Sequence, residues 1–172
     1  MRIIGGKFKG RPIEFIKSSV TRPLKDSVKE SIFNIIVHSK KINIDIINSK
    51  ILDLYSGIGS FGIEALSRGA KKVTFIEKDK AAAEILKKNL IQLNIVNKTV
   101  VLNNKIEDIL KFIIKKKFTI IFSDPPFVNN DYLQNLWWCI RFIMSDSILV
   151  TGVGDADQEA DFRGGKDAHL FD

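Results

Sequence analysis

The residues Asp124-Pro125-Pro126-Phe127 are an acid, two prolines and an aromatic ring that follow an apolar run over 118–122. Two successive prolines cannot continue a strand or begin an ordinary helical turn, so the backbone leaves the strand in a rigid shape. That shape predicts a trap for a nucleobase amine: the Asp124 carboxylate and the Pro125 carbonyl accept the amine protons, and Phe127 stacks on the base. An aspartate suits guanine, whose N1–H and amino group are adjacent donors, and the base must be unpaired or flipped out. The alternative is a proline-rich turn with a helix-capping aspartate.

A second group of residues predicts a nucleotide-binding loop. Gly57, Gly59 and Gly62 form a GxGxxG pattern between a predicted strand and a predicted helix, where glycines let backbone amides approach a ligand closely. Glu77 follows Gly57 by twenty residues, at the end of the next predicted strand, where a carboxylate can accept both ribose hydroxyls. The loop fits a dinucleotide or S-adenosylmethionine. Asp53, just before it, favours S-adenosylmethionine because a carboxylate there can hold the methionine ammonium or its water. The alternative is a tight turn plus a surface acid.

These residues require an alternation of strands and helices to bring them together. The patterns of apolar residues predict a hairpin from 2–4 and 11–16, then helices over 26–38, 60–67, 80–94, 106–114 and 131–144, and strands over 50–55, 72–77, 99–102, 118–123 and 147–150. Such alternation predicts an α/β fold with a doubly wound, mostly parallel sheet that is covered on both faces. On the first of these helices, the core-facing residues predicted from the spacing are Val28, Ile32, Ile35 and Ile36.

The positive charge is concentrated at the beginning of the chain. The 172 residues form one domain with a net charge of +7, and residues 1–41 alone carry ten basic and three acidic residues. Such a segment is either a solvated lysine-rich face or an arm that contacts phosphates. The phosphate interpretation makes candidates of the basic residues Arg2, Lys7, Lys9, Arg11 and Arg22.

Other residue types indicate the compartment and the absence of a metal. Cys139 is the single cysteine, so no intrachain disulfide forms and a reducing compartment is expected. The first seven residues lack the apolar core of a signal peptide, and no apolar run reaches membrane-spanning length. We therefore expect a cytoplasmic protein. His38 and His169 are isolated, so no metal site is predicted.

The sequence resembles the bacterial RsmD-type guanine-N2 methyltransferases that act on small-subunit (16S) ribosomal RNA. The resemblance covers roughly residues 2–150. The matching segments are 2–6, 9–11, 21–23, 26–34, 53–62, 64–69 and 124–127. The N-terminal segments are specific to that family, whereas the segment 124–127 is shared by many amino-methyltransferases.

The resemblance implies a class I, Rossmann-like methyltransferase fold with S-adenosylmethionine as cofactor. It implies a basic N-terminal extension (1–41) that grips RNA, a methyltransferase domain (42–150), and Asn104 near the cofactor adenine. The implied partner is 16S ribosomal RNA, free or within an assembling subunit, and the expected state is a monomer. Two alternatives stay open: an amino-methyltransferase acting on adenine N6 or another amine in DNA or another RNA, and a catalytically inactive RNA-binding assembly factor.

The last segment departs from this pattern. Residues 151–172 carry five Asp and one Glu against two basic residues, and they contain no isoleucine. Such methyltransferases close the sheet with a sixth and a seventh strand, and nothing in this tail alternates as those strands would. We therefore expect the last two strands to be missing, and hypothesise that the tail is non-native or disordered.

Overall fold

The computed structural model describes residues 1–15, 24–38, 44–113, 117–125, 148–151 and 161–164. The helices are α1 Asp26–His38, α2 Ser60–Ser67, α3 Lys80–Gln92 and α4 Ile106–Ile113, with short 3-10 turns at Gly6–Phe8 and Val96–Lys98. The strands are β1 Lys50–Leu54, β2 Lys72–Ile76, β3 Thr99–Leu102, β4 Ile120–Ser123, β5 Ile148–Thr151 and β6 Asp161–Gly164. The predicted helix over 131–144 lies outside the described residues.

The strands form one sheet with the order β3-β2-β1-β4-β5-β6, in which the first five are parallel and β6 is antiparallel. The chain builds outward from β1 to β3, then crosses back to place β4 on the other side of β1. The doubly wound prediction is therefore confirmed. The order reverses between β1 and β4, and ligands of open α/β sheets bind at such a switch point, beyond the carboxyl ends of the strands.

Both faces of the sheet are covered, and the alternation along β1 shows how. Ile51 packs in a cluster with buried residues of α1, α2 and α3, whereas Leu52 and Leu54 pack with buried isoleucines of α4. Successive side chains of a strand point to opposite faces, so an apolar run such as β1 needs cover on both sides. Burying each such side chain contributes about 1.5–3 kcal/mol. This packing holds the carboxyl edge, where the parallel strands end, in a fixed shape.

The first helix joins the core differently from the prediction. Ile32 and Ile36 are buried as expected, but Ile35 is 38% exposed, and Phe33 is fully buried instead. Phe33 stacks on Phe61 of α2 at 5.0 Å between ring centroids, and Phe61 stacks on Phe122 of β4 at 3.9 Å. This aromatic stack fixes α1 against α2 and the sheet. The prediction for Ile35 was wrong because helical spacing alone does not show which apolar stripe meets a partner.

The expectation that the tail adds no strand is wrong for 161–164. These residues form β6, which pairs antiparallel with β5 from Thr151↔Asp161 to Ile148↔Gly164. Strand pairing uses backbone N–H and C=O groups, so it does not require the apolar alternation that the sequence lacks here. One of the two expected terminal strands is thus present among the described residues.

In the part of the chain that the structure describes, no helix is both long and apolar enough to cross a membrane.

Candidate active site

Three carboxylates meet at the carboxyl edge of the sheet. Asp53 is the second-last residue of β1, Glu77 directly follows β2, and Asp124 directly follows β4. Because β1 lies between β2 and β4, these three residues converge on the switch point. The structure thus brings together the glycine loop and the Asp-Pro motif, which are about 70 residues apart in sequence.

Asp53 is buried with one of its oxygens unpaired. Its side chain is 1% exposed, and Oδ2 accepts the backbone N–H of Gly62 at 3.0 Å. Oδ1 has no hydrogen-bond partner among the described residues. Burial raises the pKa of Asp53 well above its usual value, with smaller contributions from the charges of Asp124 and Glu77, and the Gly62 hydrogen bond opposes this rise only in part. An unpaired buried carboxylate oxygen is costly, so this position favours a cationic or hydrogen-bond-donating ligand.

Glu77 fixes the glycine loop rather than standing free. Its Oε2 accepts the N–H of Gly57 at 2.7 Å, and its Oε1 accepts the N–H of Asp79 at 2.7 Å. Each carboxylate oxygen has further lone pairs, so both remain able to accept a ligand hydroxyl. Glu77, which is predicted to hold a ribose, is therefore joined to the glycine loop by its hydrogen bond to Gly57.

The three glycines differ in what they do. Gly57 has a φ of +53° and open space where a side chain would begin, so its backbone is accessible to a ligand. A Cβ on Gly59 would meet the Leu86 side chain at 2.3 Å, and one on Gly62 would meet the Phe75 ring at 2.3 Å. Gly59 and Gly62 are thus required for close packing of α2 against its neighbours. Of the three, Gly57 alone has open space beside it.

Sequence reasoning overlooked two residues beside the loop. Tyr55 follows β1 with a left-handed φ of 55°, and its buried hydroxyl has no partner among the described residues. Burial, with the charge of Glu107, raises the pKa of Tyr55 to about 12. Asn103 donates its side-chain N–H to the carbonyl of Glu77 at 2.8 Å, whereas the predicted Asn104 is exposed just after β3. A strained residue with an unpaired hydroxyl is typical of functional sites, but only the fold reveals it.

Asp124 is partly buried, and burial raises its pKa. It follows Ser123, which pairs in register with Leu54 of β1, so its carboxyl group enters the site one strand away from Asp53. Pro125 is also described and partly buried. The predicted Pro126 and Phe127 lie outside the described residues.

The N-terminal segment is a hairpin that is bound to α2 through a buried glutamate. The N–H of Ile3 donates to the carbonyl of Arg11 at 3.0 Å, and an isolated bridge pairs Arg2 with Pro12, so residues 2–4 lie antiparallel to 11–13 as predicted, although they form a single bridge and not two strands. Glu64 is fully buried and accepts the N–H groups of Ile4 at 2.8 Å and Gly5 at 2.7 Å. It also pairs with Arg68 at 2.8 Å.

The hairpin runs beside α2 and α3. In the returning arm of the hairpin, Arg11 donates to the carbonyl of Gln92, the last residue of α3, at 3.2 Å. Farther along, the N–H of Glu14 donates to Asn89, whose amide in turn donates to the carbonyl of Ile58 in the glycine loop at 3.4 Å. Residues 11–14 therefore run along α3 from the amino edge of the sheet, where the parallel strands begin, toward the glycine loop.

The predicted phosphate-contacting residues divide between described and undescribed parts of the chain. Arg2, Lys7, Lys9 and Arg11 are exposed on the hairpin, and the guanidinium of Arg11 lies 5.7 Å from the centroid of the Phe8 ring. Arg22 lies outside the described residues. The tip of the hairpin is not at the glycine loop but near the ends of α2 and α3.

Comparison with known proteins supports this architecture. A family model described as Conserved hypothetical protein 95 matches residues 1–159. A curated relative from Haemophilus influenzae, Ribosomal RNA small subunit methyltransferase D, is 43% identical over 129 residues, which are 74% of this chain and 64% of the relative. The chain therefore spans slightly less than two thirds of the length of that relative.

Solved structures show the same fold. The Escherichia coli protein yhhF, provisionally described as a methyltransferase, matches with a TM-score of 0.67 and 29% identity over 88% of this chain and 79% of its own. A hypothetical protein of Thermus thermophilus matches with a TM-score of 0.72 over 95% of this chain and 99% of its own. At 20% identity, the second match concerns the fold alone.

Proposed function

This chain belongs to the RsmD family, described as Conserved hypothetical protein 95, and on that premise we propose that it methylates the N2 amine of a guanine in 16S ribosomal RNA with S-adenosylmethionine as donor. The observation that carries the proposal is the convergence of Asp53, Glu77 and Asp124 at the switch point of the sheet. Asp53 and Glu77 suit a nucleoside that carries a positive charge, and Asp124 suits an amine.

The donor side of the site fits S-adenosylmethionine, which supplies a methyl group activated by a positively charged sulfur. In this proposal the unpaired Oδ1 of Asp53 accepts the methionine ammonium or its water, and Glu77 accepts the ribose hydroxyls. The open backbone at Gly57 allows close approach, and Gly59 and Gly62 keep α2 at the distance this requires. Asn104 is proposed to lie near the adenine.

The acceptor side is assigned to the Asp-Pro motif. The exocyclic amine of guanine is a poor nucleophile because its lone pair is delocalised into the ring. Asp124 and the Pro125 carbonyl accept hydrogen bonds from the amine protons, which orients the nitrogen for in-line attack on the methyl group. The raised pKa of Asp124 makes it a better proton acceptor than a solvated aspartate. Pro126 and Phe127 complete the proposed site from the sequence pattern, with Phe127 stacked on the base.

The proposed partner follows from the family and from the charge of the chain. Arg2, Lys7, Lys9 and Arg11 are exposed on the hairpin and suit RNA phosphates, and Arg22 is proposed to join them. We propose a cytoplasmic monomer, because the proposed substrate is ribosomal RNA of bacteria and the proposed site residues all belong to one chain.

The test is methylation of undermethylated small subunits and of free 16S RNA, followed by mass spectrometry of the nucleosides. We expect N2-methylguanosine from the wild type and a fall of at least about 100-fold in kcat/KM for Asp124→Ala, with little change in donor affinity. Asp108→Ala removes an exposed carboxylate from α4 and is the control. Undiminished methylation by Asp124→Ala would overturn the site, and N6-methyladenine as the product would overturn the choice of base.

A further inference from the structure

We propose that the amino edge of the sheet, opposite the candidate site, is a second surface that contacts RNA phosphates. Lysines occur at the beginning of four neighbouring strands; these residues, Lys117, Lys50, Lys71, Lys72 and Lys98, are named here the basic edge. The choice of RNA as occupant rests on the proposed function. The surface itself rests on the register of the strands and on its charge.

The register of the sheet aligns these lysines in a row. Lys50 pairs directly with Lys72 at the beginning of β1 and β2. Thr99 pairs with Val73, so Lys98 lies next to Lys72 on the β3 side. The N–H of Thr119 donates to the carbonyl of Lys50, which brings the chain after Lys117 beside β1 on the other side. Neighbouring strands are about 4.8 Å apart, so the row extends over roughly 15 Å.

The basic edge carries little compensating charge. Each of its five lysines is exposed, and none forms a salt bridge with a carboxylate in the part of the chain that the structure describes. Asp45, in the loop before β1, is an acid at this edge, and it accepts the N–H of Ile47. The C-terminal ends of α2 and α3 point to the same edge, and their partial negative charge offsets some of the repulsion between the lysines.

The N-terminal hairpin extends this surface. Lys7 and Phe8 line a cavity of about 200 Å³ together with Asn94, Asn97 and Lys98. Lys98 therefore belongs both to the row of lysines and to the wall that faces the hairpin. The tip of the hairpin and the basic edge therefore meet at Lys7 and Lys98.

The difference between the two edges favours an RNA that contacts both. The carboxylates of Asp53, Glu77 and Asp124 converge at the carboxyl edge, which suits a cationic donor better than a phosphate. Part of the binding energy for RNA must therefore come from outside the site. A strand of five residues spans about 16 Å, so a structured RNA can contact the basic edge while one of its bases enters the site.

The test compares two variants with equal loss of charge. The first replaces Lys50, Lys72 and Lys98 with Gln, and the control replaces Lys80, Lys87 and Lys88 with Gln, which are also exposed but lie on α3 and not on the basic edge. Binding of a 16S RNA transcript and of a six-nucleotide oligomer is measured by fluorescence anisotropy at several salt concentrations, without donor. Thermal unfolding and calorimetric donor binding show whether each variant is folded.

We expect the first variant to bind the transcript about 100-fold more weakly at 0.1 M salt, with the slope of log K against log salt reduced by about 2. Its affinity for S-adenosylmethionine should be unchanged, and its affinity for the oligomer should fall less than its affinity for the transcript because six nucleotides offer fewer phosphates. An equal or larger effect of the control variant would overturn the proposal. So would unchanged RNA affinity together with lost co-sedimentation with phosphatidylserine-containing vesicles, measured for the same variants, which would assign the edge to membranes. Because binding is measured without catalysis, a wild type that binds RNA but methylates nothing would refute the proposed function and not this surface.

Discussion

Replacing Glu64 with glutamine should detach the N-terminal hairpin from α2. Glu64 is fully buried and accepts three hydrogen bonds, from the N–H groups of Ile4 and Gly5 and from Nε of Arg68, at 2.7–2.8 Å. Glutamine keeps the volume but turns one acceptor into a donor that faces another donor. Removing one partner of a buried ion pair costs about 3–5 kcal/mol. That is a large share of a total stability of about 5–15 kcal/mol.

Urea denaturation followed by circular dichroism measures this loss, and hydrogen exchange locates it. We expect Glu64→Gln to lower the free energy of unfolding by about 3–5 kcal/mol, which for a chain of this size corresponds to roughly 6–20 °C in Tm. The amides of Ile4 and Gly5 should lose protection first. The control is Glu84→Gln, whose exposed pair with Lys87 should leave the midpoint unchanged. A loss below about 1 kcal/mol, with both amides still protected, would refute the reasoning.

Three further predictions concern the carboxyl edge. Gly62→Ala should destabilise the protein by about 1–3 kcal/mol because the added Cβ meets the Phe75 ring at 2.3 Å. Gly57→Ala should cost only about 1–2 kcal/mol for its left-handed φ and should weaken donor binding; a larger stability loss at Gly57 in urea denaturation would contradict these roles. Asp53→Asn should stabilise the protein without donor at pH 7, while donor affinity measured by calorimetry falls. Burial raises the pKa of Asp53 in the folded state, so the wild type loses stability as pH rises through that pKa, and asparagine does not. The gain in Tm should therefore shrink as the pH falls toward the usual aspartate range, and a gain independent of pH would count against burial as the cause.

Much of the local structure could be predicted because its signals are local. The bounds of α1 and α2 agree with the expected helices, and β3 agrees with the expected strand, since apolar spacing and turn residues act over a few positions. Glu77 also lies where the spacing from the glycine loop predicted, at the end of β2. The expected strand over 118–123 begins two residues later, at Ile120, because Phe118 packs in the core before the strand pairing starts.

The residues that sequence reasoning missed depend on distant contacts. Glu64 lies in the matching segment 64–69, but no role for it could be predicted because its partners Ile4 and Gly5 are about 60 residues away. The left-handed backbone of Tyr55 could not be predicted, because any residue type at that position is compatible with the end of a strand. β6 was overlooked because backbone pairing leaves no pattern in the side chains.

The sequence by itself determined the order of the elements, the glycine loop and the Asp-Pro motif, because each arises from residues that are neighbours along the chain. Only the tertiary structure decided that Asp53 is buried with an unpaired oxygen, that Glu64 binds the hairpin, and that lysines from four strands share one edge. The physical reason is that desolvation and strand register are set by which distant segments pack together. Lysines near the beginning of four strands look like ordinary surface charge until the order β3-β2-β1-β4 aligns them.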